Sequence, residues 1–226
     1  MIRFLLFLPA LLFFHSRLPA QDAGSLIQSI REKLDKINDY QAQASLKTNI
    51  SFLRVPDAEV TVYYKKPDRI KIKNEKGMSL VPKESASISL YSLLSGQYQV
   101  IDAGKDKINN IPVRIVKLLP ENENADLVLA TLYIDASRLL VLKAKITTRE
   151  NGTDEVILNY GKYAASSLPD KIIFSFNTQD YKLPKGVTFD YDDGSQKKLP
   201  ATDQKNERGK IEISYHAYEI NKGLRD

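Results

Sequence analysis

The sequence predicts an α+β protein in which a large antiparallel sheet of about ten strands packs helices against its single dry face. Residues 25–37, SLIQSIREKLDKI, repeat apolar side chains at helical spacing. From residue 40 onward the hydrophobic period drops from 3.6 to 2 and holds that value for most of the chain. No linker or composition break divides the 226 residues, so a single domain with a sizeable core is expected over 21–226.

The first twenty residues, MIRFLLFLPALLFFHSRLPA, read as a secretory signal peptide. Arg3 supplies the positive start, Phe4 to Phe14 the apolar stretch, and Leu18-Pro19-Ala20 a small residue for cleavage. That stretch is too short to span a bilayer. The chain has no cysteine, which excludes both a disulfide scaffold and a lipid-modified cysteine anchor and leaves an exported chain free in its compartment. Loss of Arg3 and Arg17 with the signal lowers the net charge of +5 by two, too mild a balance for a nucleic-acid partner.

In the helical segment Leu26, Ile30, Leu34 and Ile37 share a face with Ile27, and Ser25 followed by Gln28 reads as a capping box that places the helix start at residue 25. In YQAQASLKTNISF the even positions Tyr40, Ala42, Ala44, Leu46, Ile50 and Phe52 are apolar or aromatic, and the odd positions are polar. Such alternation describes a long antiparallel strand with one wet and one dry face. It recurs at Val60, Val62 and Tyr64, at Ile70 and Ile72, and at Met78 and Leu80. Later it returns at Ile172, Phe174 and Phe176 and at Ile211, Ile213 and Tyr215. Turn chemistry separates these runs at Pro67-Asp68, Glu75-Lys76-Gly77, Asp135-Ala136-Ser137, Asn151-Gly152 and Asp193-Gly194. LVLATLYI, 127–134, is apolar on both faces and predicts a strand covered on two sides. SASISLYSLLSG, 85–96, predicts a short inserted helix, and 195–209 a flexible polar loop.

The supply of catalytic groups is thin, and no enzyme is expected. The histidines are His15, in the signal, and His216, on the polar phase of its strand. No G-x-S-x-G, H-E-x-x-H or phosphate loop occurs. The acidic run DYDDG, 190–194, has Pro200 where a calcium loop needs its glutamate, so it reads as a turn and no metal or cofactor is expected. Lys71, Lys73 and Lys76, and Lys197 and Lys198, read as solvated faces with a weaker reading as contacts for anionic headgroups.

The order of these segments resembles the LolA-like outer-membrane lipoprotein-sorting proteins, the periplasmic lipoprotein carriers. IREKLDKINDYQAQASL is similar to that family's opening helix and first strand, VYYKKPDRIKIK to its basic turn with a proline, LYIDASRLLVLKAKI to its later hairpin, and SLPDKIIFSF to its Leu-Pro-led strand. The likeness covers most of residues 24–191, and the tail from 195 to 226 adds a strand beyond the shortest members.

The resemblance implies an incomplete, half-open antiparallel barrel whose concave apolar face is covered by the two helices and takes acyl chains of a lipoprotein or lipid. It places Leu46, Ile50, Phe52, Val60, Val62, Tyr64, Ile70, Ile72, Met78, Leu80, Phe174 and Phe176 on the cavity face and Leu26, Ile30 and Leu34 on the lid. Family members keep an arginine just before the turn proline, on the inner phase, to hold the lid closed. That position is Lys66 here, which retains the charge and loses the bidentate fork. The aromatic residue often found after the proline is replaced by Ile70 and Ile72. The implied setting is the periplasm of a Gram-negative bacterium, with a monomer that meets an inner-membrane lipoprotein-releasing transporter and an outer-membrane acceptor. The alternative role is a lipid-sensing or protein-interaction module of the envelope-stress type. On the residues alone, alternating side chains of this kind ordinarily fill a closed core.

Overall fold

The structure, a computed structural model, describes residues 22–49, 56–67, 69–74, 90–177 and 208–224. The signal segment, Ile50, Phe52, Met78, Leu80, the turn at 75–77, the run 190–194 and the loop up to residue 207 lie outside the described residues. Among the described residues, no helix is long and apolar enough to cross a membrane.

Helix α1 spans Ala23–Leu34. It begins earlier than the capping-box reading placed it, with Asp22 as the N-cap residue. Leu26 N–H already donates to the Asp22 carbonyl at 3.0 Å, and the Ser25 hydroxyl donates back to the same oxygen at 2.8 Å instead of capping forward. The reason lies in burial: Ala23 joins Leu26, Ile27, Ile30 and Leu34 on the inner face, so the apolar stripe gains a turn at its start. Arg31 and Lys33 occupy the last turn, where cations favour the negative end of the helix. The helix stops at Leu34, and Ile37 is buried beyond its end.

Among the described residues ten antiparallel strands form one sheet: β1 Asp39–Asn49, β2 Ala58–Lys65, β3 Arg69–Asn74, β4 Tyr98–Ile108, β5 Ile111–Pro120, β6 Leu127–Asp135, β7 Leu140–Thr148, β8 Gly152–Asn159, β9 Lys171–Asn177 and β10 Arg208–Ile220. Helix α2, Leu90–Ser95, is the described part of the inserted segment. The spatial order is β3-β2-β1-β10-β9-β8-β7-β6-β5-β4, so β3 and β4 are edges and the barrel stays open. The strand expected as an addition at the tail therefore stands in the middle of the sheet. It pairs β1 on one side (Ala42 with Tyr218, Leu46 with Ile213) and β9 on the other (Ile211 with Phe174). Asn221 and Asp39 pin this centre. Asn221 Oδ1 accepts the Asn38 N–H at 2.7 Å and its amide donates to the Lys36 carbonyl at 2.8 Å, while the Asp39 carboxylate accepts the N–H groups of Lys222 and Gly223. Gly223 sits at φ 78°, a left-handed conformation that suits glycine at this reversal.

The dry face is divided between two clusters. One packs the buried stripe of α1, with Leu93 and Leu94 of α2, on Val116, Leu118, Leu132, Ile134, Val141 and neighbours from β5–β8. Burial of each of Leu26, Ile27 and Ile30 is worth about 1.5–3 kcal/mol, which fixes the helix over this half of the sheet. The other cluster, from β1, β2, β9 and β10, holds Ala42, Ala44, Leu46, Val60, Val62, Phe174, Phe176 and Ile211. A small third cluster of Val113, Leu140 and Leu142 with the partly buried Tyr133 uses the opposite phase, so the strand expected to be covered on two sides has second-side cover only at its Tyr133 end, while Val128 is exposed. Lys33 Nζ ties α1 to the end of the sheet by donating to the carbonyls of Arg138 (2.8 Å) and Ala164 (3.2 Å).

Candidate functional site

Because α1 is committed to the β5–β8 half, the dry face of β2, β3, β9 and β10 is only partly covered. A cavity remains there, with about 160 Å³ open to the centres of water-sized molecules. That is space on the order of ten water-sized spheres, where cores tolerate few voids larger than one. Its sheet wall comes from Val62 and Tyr64 of β2, Ile70 and Ile72 of β3, Ala144 and Ile146 of β7, Val156 and Leu158 of β8, Ile172 and Phe174 of β9, and Ile211, Ile213 and Tyr215 of β10. Leu34 and Ile37 at the end of α1 and Leu90, Tyr91 and Leu93 of α2 face them, with Tyr40 of β1 and Ser167-Leu168-Pro169 completing the lining. Among the described lining residues none carries a charge, and the polar side-chain atoms are the hydroxyls of Ser167 and four tyrosines.

The residues expected on the cavity face fall into three sets. Val62, Tyr64, Ile70, Ile72 and Phe174 line the cavity. Leu46, Val60 and Phe176 share the face but are buried in the packed cluster beside it. Ile50, Phe52, Met78 and Leu80 lie outside the described residues. Of the expected lid residues, Leu34 reaches the cavity, whereas Leu26 and Ile30 are fully consumed in packing on β5–β8. The far wall from β7 and β8 was not among the expected residues. Its Ala144, Ile146, Val156 and Leu158 alternate with Lys145, Glu155 and Ile157, a pattern that marked a strand without marking which strands surround a space.

Lys66 stands at the rim, where β2 turns into β3 through the cis Lys66–Pro67 peptide. Its ammonium donates to the Asp35 carbonyl at 2.6 Å and pairs with Asp35 Oδ1 at 2.7 Å. It also lies 5.5 Å from the centroid of the Tyr91 ring, and Tyr91 O–H donates to Asp35 Oδ1 at 3.2 Å. The end of α1, the β2–β3 turn and α2 are thereby joined at one point. The forked contact expected from an arginine is replaced by two bonds from one ammonium to a carbonyl and a carboxylate of one residue. The Lys66 hydrogen bond, aided by its charge and by Tyr91, holds the Asp35 carboxyl below the usual range against the opposing effect of burial.

Tyrosines cross the floor of the cavity. The Tyr40 ring stacks on Tyr64 at 5.1 Å and meets Tyr218 edge-on at 5.3 Å, and Tyr215 stacks on Tyr218 at 5.0 Å. Tyr218 O–H donates to the Pro169 carbonyl at 2.7 Å, which fixes the β8–β9 connection under the sheet. Burial pushes the phenols of Tyr40, Tyr215 and Tyr218 up, so they stay protonated. Among the described residues no three His, Cys, Asp or Glu side chains come together to hold a metal, and His216 is exposed, with Nε2 3.7 Å from Glu59.

No family model matches the sequence, and no curated protein matches it. Solved structures do. A DUF1329 family protein from Desulfovibrio piger superposes with a TM-score of 0.55 at 10% identity, covering 92% of this chain and 96% of that one. A protein domain ascribed to outer membrane lipoprotein sorting from Vibrio parahaemolyticus gives 0.50 at 12% identity, covering 91% and 96%. A LolA superfamily protein from Nitrosomonas europaea gives 0.50 at 12%, covering 88% and 94%. With the open ten-stranded sheet and its two covering helices, the chain has the fold of the LolA-like, lipoprotein-sorting proteins.

Proposed function

We propose that this protein is a soluble periplasmic carrier, without enzymatic activity, that takes acyl chains of lipoproteins or lipids into the cavity beneath α1 and α2 and moves them towards the outer membrane. The observation that carries this reading is that the described lining of the roofed cavity on the sheet's dry face is uncharged and apolar. A sixteen-carbon chain in water costs roughly 12 kcal/mol, at about 0.8 kcal/mol per methylene. Such a chain does not cross an aqueous compartment alone, and a dry sheet face under a latched lid supplies the shelter. Val62, Tyr64, Ile70, Ile72 and Phe174 contact the chain, Leu34 roofs it, and Lys66 gates entry.

The fold likeness to lipoprotein-sorting proteins supports this role, and the apolar leader supports an exported location. An inner-membrane lipoprotein-releasing transporter would load the carrier and an outer-membrane acceptor would unload it. The test is to purify the protein from its own cells, extract it, and identify bound lipid by mass spectrometry. Co-purifying acyl species are expected; protein that is repeatedly empty and takes up no apolar fluorescent dye sinks the carrier reading.

A further inference from the structure

An apolar cavity shelters a hydrocarbon chain without specifying its polar end, yet this one contains hydroxyls with nothing to bond. Tyr40 and Tyr215 both line it, both rings rest on Tyr218, and neither hydroxyl has a hydrogen-bond partner among the described residues. Ser167 lines the same cavity at 5% exposure, in a left-handed backbone conformation at φ 56°, and its hydroxyl is buried without a partner. Buried hydroxyls in native proteins are nearly always paired, and an unpaired one is destabilising. The Ser167 hydroxyl is the buried, unpaired one here, and with the phenols of the half-buried Tyr40 and Tyr215 on the same lining it leaves room for an acceptor supplied by a ligand.

We propose that the Tyr40, Tyr215 and Ser167 hydroxyls form a polar anchor that donates hydrogen bonds to an uncharged acyl carbonyl, an ester or amide, and disfavours an ionised carboxylate. The proposal rests on the carrier reading and specifies its ligand. Lys66, the cation at the rim, is already engaged by Asp35. A carboxylate drawn into the cavity would meet no counter-charge among the described lining residues, and burying it unpaired is far costlier than burying a neutral carbonyl that finds donors. The phenols remain donors because burial raises them further from ionisation.

The experiment loads the purified, delipidated protein with N-phenyl-1-naphthylamine and displaces the dye with monolauroyl glycerol or with laurate at about pH 9, where the free acid is ionised. The readout is the ratio of the two competing concentrations, which does not depend on how tightly the dye is held. The ester should compete at about tenfold lower concentration. Tyr40→Phe, Tyr215→Phe and Ser167→Ala, which keep ring or backbone in place, should each narrow that ratio by about threefold. Equal competition by ester and carboxylate, or variants that leave the ratio at its original value, overturns the anchor while dye uptake keeps the carrier reading. Absence of any dye uptake overturns both.

Discussion

Replacing Lys66 with methionine tests the latch, because Met keeps the apolar stem and removes the charge. The ion pair with Asp35 is half-open to solvent, with side-chain exposures of 27% and 51%, so it contributes about 0.2–1 kcal/mol. The second bond, to the Asp35 carbonyl at 2.6 Å, adds about 1 kcal/mol net. Together these are worth about 1–2 kcal/mol, a factor of about 5–30 in the closed-to-open ratio. If lid opening limits entry, stopped-flow uptake of an apolar dye should be faster in Lys66→Met by that factor. Raising the salt should shrink the difference by accelerating the parent protein. Uptake at the parent rate, with only the melting temperature lowered, would refute the latch. The pH dependence has a definite sign. The Asp35 carboxyl is depressed in the folded state, so its contribution is present above the ordinary carboxylate value and is lost as pH falls through the depressed one. Acidification to about pH 5 should therefore leave uptake unchanged.

Other outcomes are equally specific. Val62→Asp should abolish dye and lipid uptake, since it puts a charge into the lining, whereas Lys71→Glu on the wet face should leave uptake unaltered; equal effects in a displacement titration would count against the assigned face. Leu26→Ala should lower stability by about 2–5 kcal/mol in urea unfolding, because the side chain is fully buried between α1 and β5–β8, and a loss below 1 kcal/mol would show that the helix is not held by that packing. Asp135→Ala removes the carboxylate that accepts bonds from Ser137 N–H, Ser137 hydroxyl and Arg138 in the β6–β7 turn, at a cost of about 1–3 kcal/mol. Burial opposes ionisation of Asp135, but those bonds prevail and depress its carboxyl. Their stabilisation is therefore present at neutral pH and lost in acid below the ordinary value, so the acid unfolding curve of Asp135→Ala should be the flatter one.

The strands were legible because most have one wet and one dry face; β1 reads Tyr40, Ala42, Ala44, Leu46 against Gln41, Gln43, Ser45, Lys47, and the structure keeps that phase, the register shift opposite Gln43/Ala44 being taken up in β10 at His216. The helix start was not, since Ser25 satisfies a capping motif while Ala23, too small to register as a periodic apolar position, extends the buried stripe. Local pattern also says nothing of neighbours at long range, so it marks a strand in the tail without its place beside the first. The same limit applies to the cavity. Val62 and Val60 are identical in type and phase, yet one lines the space and the other is packed, because the difference depends on where α1 spends its apolar face. Lys66 could be placed at the inner edge by phase, but its partner Asp35, in a stretch that reads as helix, is identified only by the folded chain.

Placing β10 between β1 and β9 also governs when the molecule can exist. A chain that emerges from residue 39 onward can pair β1 with β2 and β2 with β3, and separately build β4 through β9, but the two blocks share no ladder until Arg208–Ile220 arrives. Contacts spanning the whole described chain form late, because the loop they close is long. Until that moment the dry faces of both blocks are open, and the cavity has no continuous wall. The strand Arg208–Ile220 thus acts as a keystone: a product truncated before it lacks the continuous wall of the cavity, and any apolar ligand could be enclosed only once that strand is in place.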